Sequence, residues 1–405
     1  MQCALPALQC PDTTTQDYPM LYQPPLAPKY ARLTESEMRE AILARKAMLG
    51  KRLVILGHHY QQDEVIEFAD HTGDSFKLSQ LAAAQKDAEF VIFCGVHFMA
   101  ESADILTSDR VKVILPDLTA GCSMADMANL EQLEDCWEHL ESVTDATIVP
   151  ITYVNSTAAV KAFVGGHGGA CCTSSNARQV LEWALTDREG DGRARKVLFL
   201  PDQHLGRNTA FGMGYALDQM AVYDPHEVGG GLSDAQVRDA TVLLWKGHCS
   251  VHMLFTAQQI DEIRAIDPAY KVIVHPECDW SVVQKADLAG STEFIIKTIE
   301  ASAPGSKWAV GTEIHLVHRL AKRFEGEKTI RLLAGIQCLC TTMFRVDMKH
   351  LLWSLDELAA GRVVNQIRVD PETKALARLA LDRMLSLVGD GAAKAKSVQP
   401  ISTID

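Results

Sequence analysis

The sequence predicts an α/β protein made of three pseudo-symmetric αβα domains, with parallel sheets arranged around one central site. Two observations predict this fold. Short β-branched segments alternate with helical segments along most of the chain. In addition, one motif occurs three times, in which a strand that ends in polar residues is followed at a nearly fixed distance by a cysteine.

The three copies of this motif have comparable lengths. Each copy pairs a strand-end residue with a cysteine: His58 with Cys122, Tyr153 with Cys249, and His275 with Cys340. The spacing is almost the same in the first copy and the third. It is longer in the second copy, where a polar, glycine-rich stretch near residues 206–237 accounts for the excess. Three similar units that each deliver one thiol predict a single site shared by three domains.

Each copy contains three β-branched segments that predict strands, and the third leads into the cysteine. The predicted strands are Arg52–Leu56, Phe90–Cys94 and Val111–Leu115, then Thr147–Thr152, Val197–Leu200 and Thr241–Leu244, and finally Val272–Val274, Trp308–Val310 and Ile330–Leu333. The predicted helices include Ser75–Gln85, Phe98–Leu106 and the leucine-rich Leu376–Val388.

The domain boundaries follow from this order of elements. Residues 1–30 carry six prolines without periodicity and are expected to be a disordered leader. We expect αβα domains over residues 31–140, 141–260 and 261–350. Residues 351–405 are expected to form C-terminal helices that pack on the body of the protein.

Charge and cysteine content limit the possible partners and the compartment. The net charge of −13 argues against nucleic acid and anionic membranes as partners. No apolar segment is long enough to predict a membrane span. Eleven cysteines without a signal-peptide pattern predict the reducing cytoplasm and a metal or redox role for some of them. Four others are expected to be small buried hydrophobic residues: Cys94, Cys136, Cys171 and Cys172.

Polar pairs stand at the carboxyl ends of the first strands, where ligands of open parallel sheets bind. The pairs are His58 with Tyr60, Tyr153 with Asn155, and His275 with Glu277. Each pair has i, i+2 spacing, so both members face the same side. A single residue of this kind is more often structural, but six at three equivalent positions favour a binding or catalytic site.

A hydroxyl residue precedes a helical pattern in each copy: Ser75, Ser174 and Thr292. The interval from Ser75 to Thr292 equals the interval from His58 to His275. N-capping explains any one of these hydroxyls. Three that converge on one centre instead favour an anion site, in which helix N-termini hold carboxylate or phosphate groups.

Three thiols leave the identity of a metal centre open. An electron-transfer cluster normally takes four protein ligands. A [4Fe–4S] cluster held by three thiolates leaves one iron open as a Lewis acid. A zinc site with His252 as fourth ligand is the alternative, although the chain lacks a Cys-x-x-Cys knuckle.

Longer motifs between about residues 50 and 350 resemble the quinolinate synthase family. These motifs are Gly57–Gln61, Gly73–Ser75, Phe98–Glu101, Ala120–Asp126, Tyr153–Ser156, Cys172–Ala177, Pro201–Gly206, Gly247–His252, His275–Cys278 and Gly290–Glu293. The resemblance implies three αβα domains around a central [4Fe–4S] cluster. It also implies a transferase that condenses iminoaspartate with dihydroxyacetone phosphate to quinolinate, phosphate and water in NAD biosynthesis.

The same resemblance assigns the cluster ligands, which are Cys122, Cys249 and Cys340. Cys340 is preferred to Cys338 because a methionine, Met343, follows it at the family's spacing. Many members of the family carry a Cys-x-x-Cys-x-x-Cys run here. This chain has only Cys338-x-Cys340, which argues against regulation by a neighbouring disulfide.

The resemblance also implies roles for the polar residues. The catalytic set comprises Tyr60, Glu277, His275 and His252, and the substrate-binding set comprises His58, Ser75, Tyr153, Asn155, Ser174 and Thr292. The expected partners are the two substrates and the enzyme that supplies iminoaspartate. The residues themselves leave two other hypotheses open, namely a non-catalytic iron–sulfur redox sensor and a zinc hydrolase.

Overall fold

The computed structural model describes residues 23–85, 87–187 and 190–389. These residues form three sheets that are covered by helices. We refer to each sheet with its helices as lobe 1, lobe 2 and lobe 3, in chain order. The predicted α/β fold class is confirmed.

The strands follow the three repeats of the sequence. Lobe 1 contains β1 (Leu53–His58), β2 (His71–Gly73), β3 (Phe90–Cys94) and β4 (Lys112–Ile114). Lobe 2 contains β5 (Thr147–Tyr153), β6 (Ala170–Cys172), β7 (Arg195–Leu200), β8 (Met220–Tyr223) and β9 (Val242–Trp245). Lobe 3 contains β10 (Tyr270–Val274), β11 (Leu288–Ala289), β12 (Lys307–Gly311) and β13 (Thr329–Leu332). A late strand, β14 (Gln366–Ile367), returns to lobe 1.

The three sheets share one topology. The common strand orders are β2-β1-β3-β4, β6-β5-β7-β9 and β11-β10-β12-β13. All pairs within these orders are parallel, and β14 pairs antiparallel with β4. Because the sheets are parallel, the carboxyl ends of the strands of each lobe lie at the same edge.

The nine predicted strands are all present, with ends within two residues of the prediction. The second strand of each lobe was missed because β2, β6 and β11 are only two or three residues long. The excess length of lobe 2 near residues 206–237 contains β8, which pairs with β9 at the edge of the sheet. The excess therefore extends the sheet without changing the shared order.

The helices connect these strands and cover the sheets. They are α1 (Pro28–Arg32), α2 (Glu35–Leu49), α3 (Asp63–Ile66), α4 (Ser75–Ala83), α5 (His97–Leu106), α6 (Leu130–Val143), α7 (Ala158–Gly166), α8 (Ala177–Leu185), α9 (Gln203–Gly212), α10 (Asp234–Asp239), α11 (Ala257–Ile266), α12 (Trp280–Lys285), α13 (Thr292–Ala301), α14 (Ile314–Arg323), α15 (Met348–Ala359) and α16 (Pro371–Gly389). None of the described helices is long and apolar enough to cross a membrane.

The end of the predicted leader differs from the prediction. Residues 28–30 belong to α1, where Tyr30 is buried and donates a hydrogen bond of 3.0 Å to Asp356 in α15. Helix α15 packs on α2, and α16 packs on α7 and β6. Residues 1–22 and 390–405 lie outside the described residues. The division of the chain into domains stays a prediction.

Lobes 1 and 2 share one continuous apolar core, whereas lobe 3 has two smaller cores. In lobe 3, Val272 and Val274 contribute to one core, and Ile273 and Val310 contribute to the other. Because successive strand residues point to opposite faces, these two cores lie on the two sides of its sheet. Lobe 3 therefore has apolar cores of its own on both faces of its sheet.

Candidate active site at the junction of the three lobes

One cavity lies where the three lobes meet, beyond the carboxyl ends of β1, β5 and β10. The predicted site residues all line it: His58, Tyr60, Ser75, Cys122, Tyr153, Asn155, Ser174, Cys249, His252, His275, Glu277, Thr292 and Cys340. The structure thus brings together every residue that the sequence assigned to the site. Their individual roles stay predictions.

The three cysteines occupy equivalent turns. A single turn of 3-10 helix follows each of them: Ala125–Met127, His252–Leu254 and Met343–Arg345. The carbonyl of each cysteine accepts a hydrogen bond of 3.1 Å from the residue four positions on. The backbone N–H three positions on is directed at the sulfur in each turn. The main chain therefore offers each sulfur the same hydrogen-bond donor.

A second repeated contact joins each of these turns to the start of a helix. The helices are α5, α9 and α14, which follow β3, β7 and β12. The first residue of each helix donates its N–H to the carbonyl two residues before the cysteine of the same lobe. The three bonds are His97 to Ala120 at 2.8 Å, Gln203 to Gly247 at 3.0 Å, and Ile314 to Cys338 at 3.1 Å. Because these groups belong to the main chain, the contact does not depend on which side chains are present.

The surroundings of the three thiols disfavour the ionised form when no cation is bound. Burial raises the pKa of Cys122 to about 12, and it also raises the pKa of Cys249 and of Cys340. Cys249 interacts electrostatically with both of the other two thiols, so three thiolates would repel one another. A bound metal centre removes that repulsion, because metal coordination favours the deprotonated thiol. The donor set therefore fits a metal centre held by three thiolates.

The remaining described cysteines are buried and do not line the cavity. The predicted buried residues Cys94, Cys136, Cys171 and Cys172 are fully buried, as are Cys278 and Cys338. The Cys338 sulfur lies 3.7 Å from the carbonyl of Ile336 and does not line the cavity. This arrangement supports Cys340 over Cys338 as the third ligand.

A smaller group of ligand atoms lies beside the thiols. One ligand atom each from Cys249, His252 and Glu277 lie within 4.8 Å of one another. The chain therefore has a possible metal site with cysteine and histidine ligands. His252 and Glu277 are both almost completely buried.

Two histidines at strand ends have the same conformation. Nδ1 of His58 accepts the N–H of Tyr60 at 3.1 Å, and Nδ1 of His275 accepts the N–H of Glu277 at 3.4 Å. The proton of each neutral ring is therefore on Nε2, and in His275 this atom lies 3.2 Å from Ser174 Oγ. Burial lowers the pKa of each ring to about 3, with neighbouring charges as a smaller influence. Both rings are neutral at neutral pH.

Glu277 is ionised in this cavity although it is buried. Its Oε2 lies 2.7 Å from His252 Nδ1 and 3.8 Å from His275 Nδ1. Burial raises the pKa of Glu277, but the two imidazoles and a hydrogen bond from Tyr153 lower it more, so the net shift is downward. Burial, and then the Glu277 charge, raise the pKa of Tyr60 and of Tyr153 well above the usual value. The site therefore pairs a carboxylate with two protonated phenols.

Simple N-capping explains none of the three hydroxyls, and for Ser174 the N-cap of the following helix is Asn176. Asp74 caps α4 by accepting the N–H of Lys77, and Ser291 caps α13 by accepting that of Phe294. Ser75 and Thr292 each stand one residue later, as the first residue of the helix. Their hydroxyls are therefore not the N-caps of these helices, so the capping interpretation is wrong for both.

The sequence did not indicate Thr312, which contacts two of the predicted catalytic residues. It is fully buried, and its Oγ1 lies 2.8 Å from the Tyr60 hydroxyl and 3.2 Å from His252 Nε2. The equivalent position of lobe 1, set by the interval between His58 and His275, is Gly95, so the internal repeat does not reveal Thr312. Its place directly after β12 was the available signal, because ligands bind beyond such strand ends.

The fold and the site together define a class of protein. Three parallel αβα lobes each present one cysteine on an equivalent turn, and the shared cavity also contains an ionised carboxylate, phenols and neutral histidines. This combination fits an enzyme with a possible metal site between its lobes.

Comparison with known proteins identifies the particular family. A family model described as "Quinolinate synthetase A protein" matches residues 40–386. The chain is 56% identical over 364 residues to a quinolinate synthase of Acidobacterium capsulatum, covering 89% of this chain and 95% of that protein. It is 57% identical over 352 residues to a quinolinate synthase of Nocardioides sp., covering 86% and 89%. A quinolinate synthase of Anoxybacillus flavithermus is 55% identical over 358 residues, covering 88% and 95%.

The chain belongs to the quinolinate synthase family. The family was predicted from the motifs between residues 50 and 350, and this prediction is confirmed. The names of the relatives also support enzymatic activity.

Proposed function

We propose that this chain is a transferase that condenses iminoaspartate with dihydroxyacetone phosphate to form quinolinate, phosphate and water in NAD biosynthesis. One observation carries the proposal: residues from three lobes, chosen from sequence motifs alone, line a single cavity. The high identity to proteins named quinolinate synthase supports the same reaction.

The proposed cofactor is a [4Fe–4S] cluster held by Cys122, Cys249 and Cys340. The equivalent turns and the N–H groups directed at each sulfur suit three thiolate ligands of one group. When bound, such a cluster supplies an open iron that acts as a Lewis acid towards a substrate oxygen. The thiols must lose their protons on binding, so we expect loading of the cluster to weaken as the pH falls.

The acid and base functions fall to residues whose protonation states differ. Glu277 is ionised and is the proposed base, and Tyr60 is protonated and is the proposed proton donor. His252 contacts Glu277 at 2.7 Å, and burial, which lowers the pKa of His275, keeps that ring neutral. We propose that both histidines orient the carboxylate and exclude water around it.

The substrates are anionic, and Ser75 and Thr292 stand at the N-termini of α4 and α13 in the wall of the cavity, with Ser174 in the loop before α8. We propose that Ser75, Ser174 and Thr292 bind their carboxylate or phosphate groups, because helix N-termini favour negative charge. Tyr153, Asn155 and His58 complete the proposed binding set. Within the described residues, Asn155 Oδ1 is buried without a hydrogen-bond partner, which suits an acceptor for a donor group of the substrate.

The proposal extends to partners and compartment. The net charge of −13 disfavours nucleic acid and anionic membranes as partners. We also propose that the enzyme that makes iminoaspartate transfers it to this chain. All nine described cysteines are free, in keeping with the proposed cytoplasmic location.

Replacement of the proposed ligands tests the function. We expect Cys122→Ser, Cys249→Ser and Cys340→Ser, purified without oxygen, each to lose the brown absorbance of the cluster and the formation of quinolinate. Cys338→Ser is the matched control, because it makes the same change at a buried thiol outside the cavity. It should keep both properties.

Two results would contradict the proposal. Normal turnover in any of the three variants would refute the ligand assignment. A colourless wild-type protein that contains zinc and forms no quinolinate would favour the mononuclear metal site of Cys249, His252 and Glu277 instead. Iron, sulfide and zinc analysis together with chromatographic detection of quinolinate separates these cases. A coloured protein whose cluster spectrum ignores both substrates would indicate a sensor.

A further inference from the structure

Helix α9 of lobe 2 presents one face to the segment of lobe 3 that follows β10. His204, Asn208 and Phe211 stand at i, i+4 and i+7 along this helix, so their side chains lie on the same face. His204 Nδ1 lies 3.8 Å from Asp279 Oδ2. The rings of Phe211 and Trp280 meet edge to face, with their centroids 5.4 Å apart. Lobe 2 therefore meets lobe 3 along this face of α9.

Asn208, in the middle of this face, contacts the main chain beside the proposed base. It is buried, and its Nδ2 donates hydrogen bonds of 2.8 Å to the carbonyl of Pro276 and 2.9 Å to the carbonyl of Cys278. Carbonyls can only accept, so the nitrogen of the amide must face them. Its Oδ1 has no hydrogen-bond partner within the described residues, so the donors account for the amide at this position. The two hydrogen bonds hold the main chain on both sides of Glu277.

The turn that Asn208 contacts, residues 275–278, sets the place of Glu277. Within this turn the N–H of Cys278 donates to the carbonyl of His275 at 3.0 Å, and the N–H of Glu277 donates to the His275 ring at 3.4 Å. These bonds give the turn its shape, but both lie within lobe 3. The hydrogen bonds from Asn208 join the turn to lobe 2.

The same helix is also attached to the segment that carries the partner of Glu277. His252, whose Nδ1 lies 2.7 Å from Glu277 Oε2, belongs to the cysteine turn of lobe 2. The first residue of α9, Gln203, donates its N–H at 3.0 Å to the carbonyl of Gly247, just before that turn. Helix α9 therefore holds the His252 segment at its start and the Glu277 turn at Asn208.

We propose that Asn208 is a positioning residue, whose amide sets the distance between the Glu277 carboxylate and the His252 ring. This inference rests on the proposed function only for the role of Glu277 in turnover. Asn208 does not line the cavity, so it acts through the turn and not on the substrate. Without its two N–H donors the carbonyls of Pro276 and Cys278 lose their partner, and the turn is free to move away from lobe 2. A displacement of about 1 Å in a reacting group is enough to slow catalysis about 100-fold.

Replacement of Asn208 by leucine removes both donors and keeps the branched shape. We expect Asn208→Leu to lower kcat about 10- to 100-fold with KM within about twofold of wild type, because the carboxylate is displaced and the substrate-binding residues are not. Asn208→Asp keeps the size and polarity of the side chain and also lacks the two donors, so it should lower kcat at least about tenfold. It replaces Asn208→Leu as the test if leucine prevents folding. Cluster absorbance should be unchanged in both.

Two controls in the same helix separate the hydrogen bonds of Asn208 from other effects. Thr209→Val changes the next residue, whose hydroxyl donates at 2.6 Å to the carbonyl of Leu205 within α9 itself. Phe211→Leu weakens the ring contact with Trp280 and leaves the two hydrogen bonds in place. We expect both variants to keep kcat within about twofold of wild type. A loss in Phe211→Leu equal to that in Asn208→Leu would show a general cost of loosening the contact between the lobes and would overturn the proposal.

Hydrogen exchange followed by mass spectrometry tests the proposal without activity. In the full-length chain purified without oxygen, we expect the amides of residues 276–280 to exchange faster in Asn208→Leu than in wild type, with β12 unchanged. Thr209→Val should match wild type throughout. Wild-type exchange of residues 276–280 in Asn208→Leu overturns the proposal, as does an equal increase across all of lobe 3 or a kcat within about twofold of wild type. If wild type forms no quinolinate, the proposed function fails, and the exchange of these residues still decides the role of Asn208.

Discussion

Lobe 1 and lobe 3 have the same arrangement at the end of their first strand but carry different chemical groups there. The ends of their first strands carry His58 and His275 in one conformation, in which Nδ1 accepts the N–H of the second residue on. That second residue is Tyr60 in lobe 1 and Glu277 in lobe 3. The difference teaches that the repeat fixes the backbone and the ring, and that one substitution decides whether a lobe offers a phenol or a carboxylate.

The surroundings reinforce this difference. Glu277 lies beside His275 and His252 and accepts a hydrogen bond from Tyr153, and together these neighbours lower its pKa and keep it ionised. Burial, and then the charge of Glu277, raise the pKa of Tyr60 more than the hydroxyls of Thr292 and Thr312 lower it, so the phenol stays protonated. The neighbours therefore move the pKa of each group further from neutrality, and the two equivalent positions stay in the opposite protonation states that a carboxyl and a phenol ordinarily have.

The largest effect is expected from removing the charge of lobe 3. Glu277→Gln keeps the shape of the side chain but cannot accept a proton, so we expect turnover to fall by about 10³-fold while the cluster absorbance is kept. Steady-state kinetics with anaerobic absorbance spectra measure both. Wild-type turnover in this variant would show that the carboxylate is not the base and would remove the functional contrast between the lobes.

A smaller loss is expected from the phenol of lobe 1. Tyr60→Phe removes one proton donor and leaves the ring in place, so we expect turnover to fall by about 10²-fold with the cluster retained. The matched control is Tyr215→Phe, at a tyrosine outside the cavity. Equal turnover in Tyr60→Phe and the control would contradict the role of Tyr60 as donor.

The smallest effect concerns stability and tests what the lobes share. Burial lowers the pKa of His58 and of His275 to about 3, whereas an unfolded histidine titrates near 6.5. Below pH ~6.5 the unfolded chain binds protons that the folded chain does not, so the free energy of unfolding falls as the pH is lowered. Each ring contributes at most about 1.4 kcal/mol per pH unit.

Urea unfolding of the metal-free chain at pH 7, 6 and 5 measures this slope. We expect His58→Gln and His275→Gln to make it less steep by similar amounts, because both rings are buried in the same conformation. His318→Gln, at an exposed position, should leave it unchanged. Clearly unequal changes of this slope in the two variants would contradict the structural equivalence of lobe 1 and lobe 3.

Much of this arrangement could be predicted from sequence because it repeats. The strands before and after each helix have β-branched patterns long enough to recognise, and similar spacing placed the three cysteines at one centre. The short strands β2, β6 and β11 carry too few residues for a pattern, and they form because they pair with a longer first strand. The helical end of the predicted leader depends on burial of Tyr30 against distant residues, which local sequence does not encode.

The site was predicted where its residues belong to motifs and was missed where they do not. Thr312 has no counterpart in the repeat, and its importance comes from two partners that are 252 and 60 residues away in the chain. Likewise, the sequence could not decide between capping and ligand binding for Ser75 and Thr292. That decision needed the neighbouring residues Asp74 and Ser291, whose side chains make the caps.

The main-chain bond that joins each cysteine turn to the start of a helix has a mechanical consequence. Helices α5, α9 and α14 are each attached through one such bond to a turn that carries a sulfur. A group bound to all three sulfurs would then act as a cross-link between segments that are remote along the chain, and lobe 3, with its separate cores, would gain most from it. Metal content and resistance to unfolding should therefore rise and fall together.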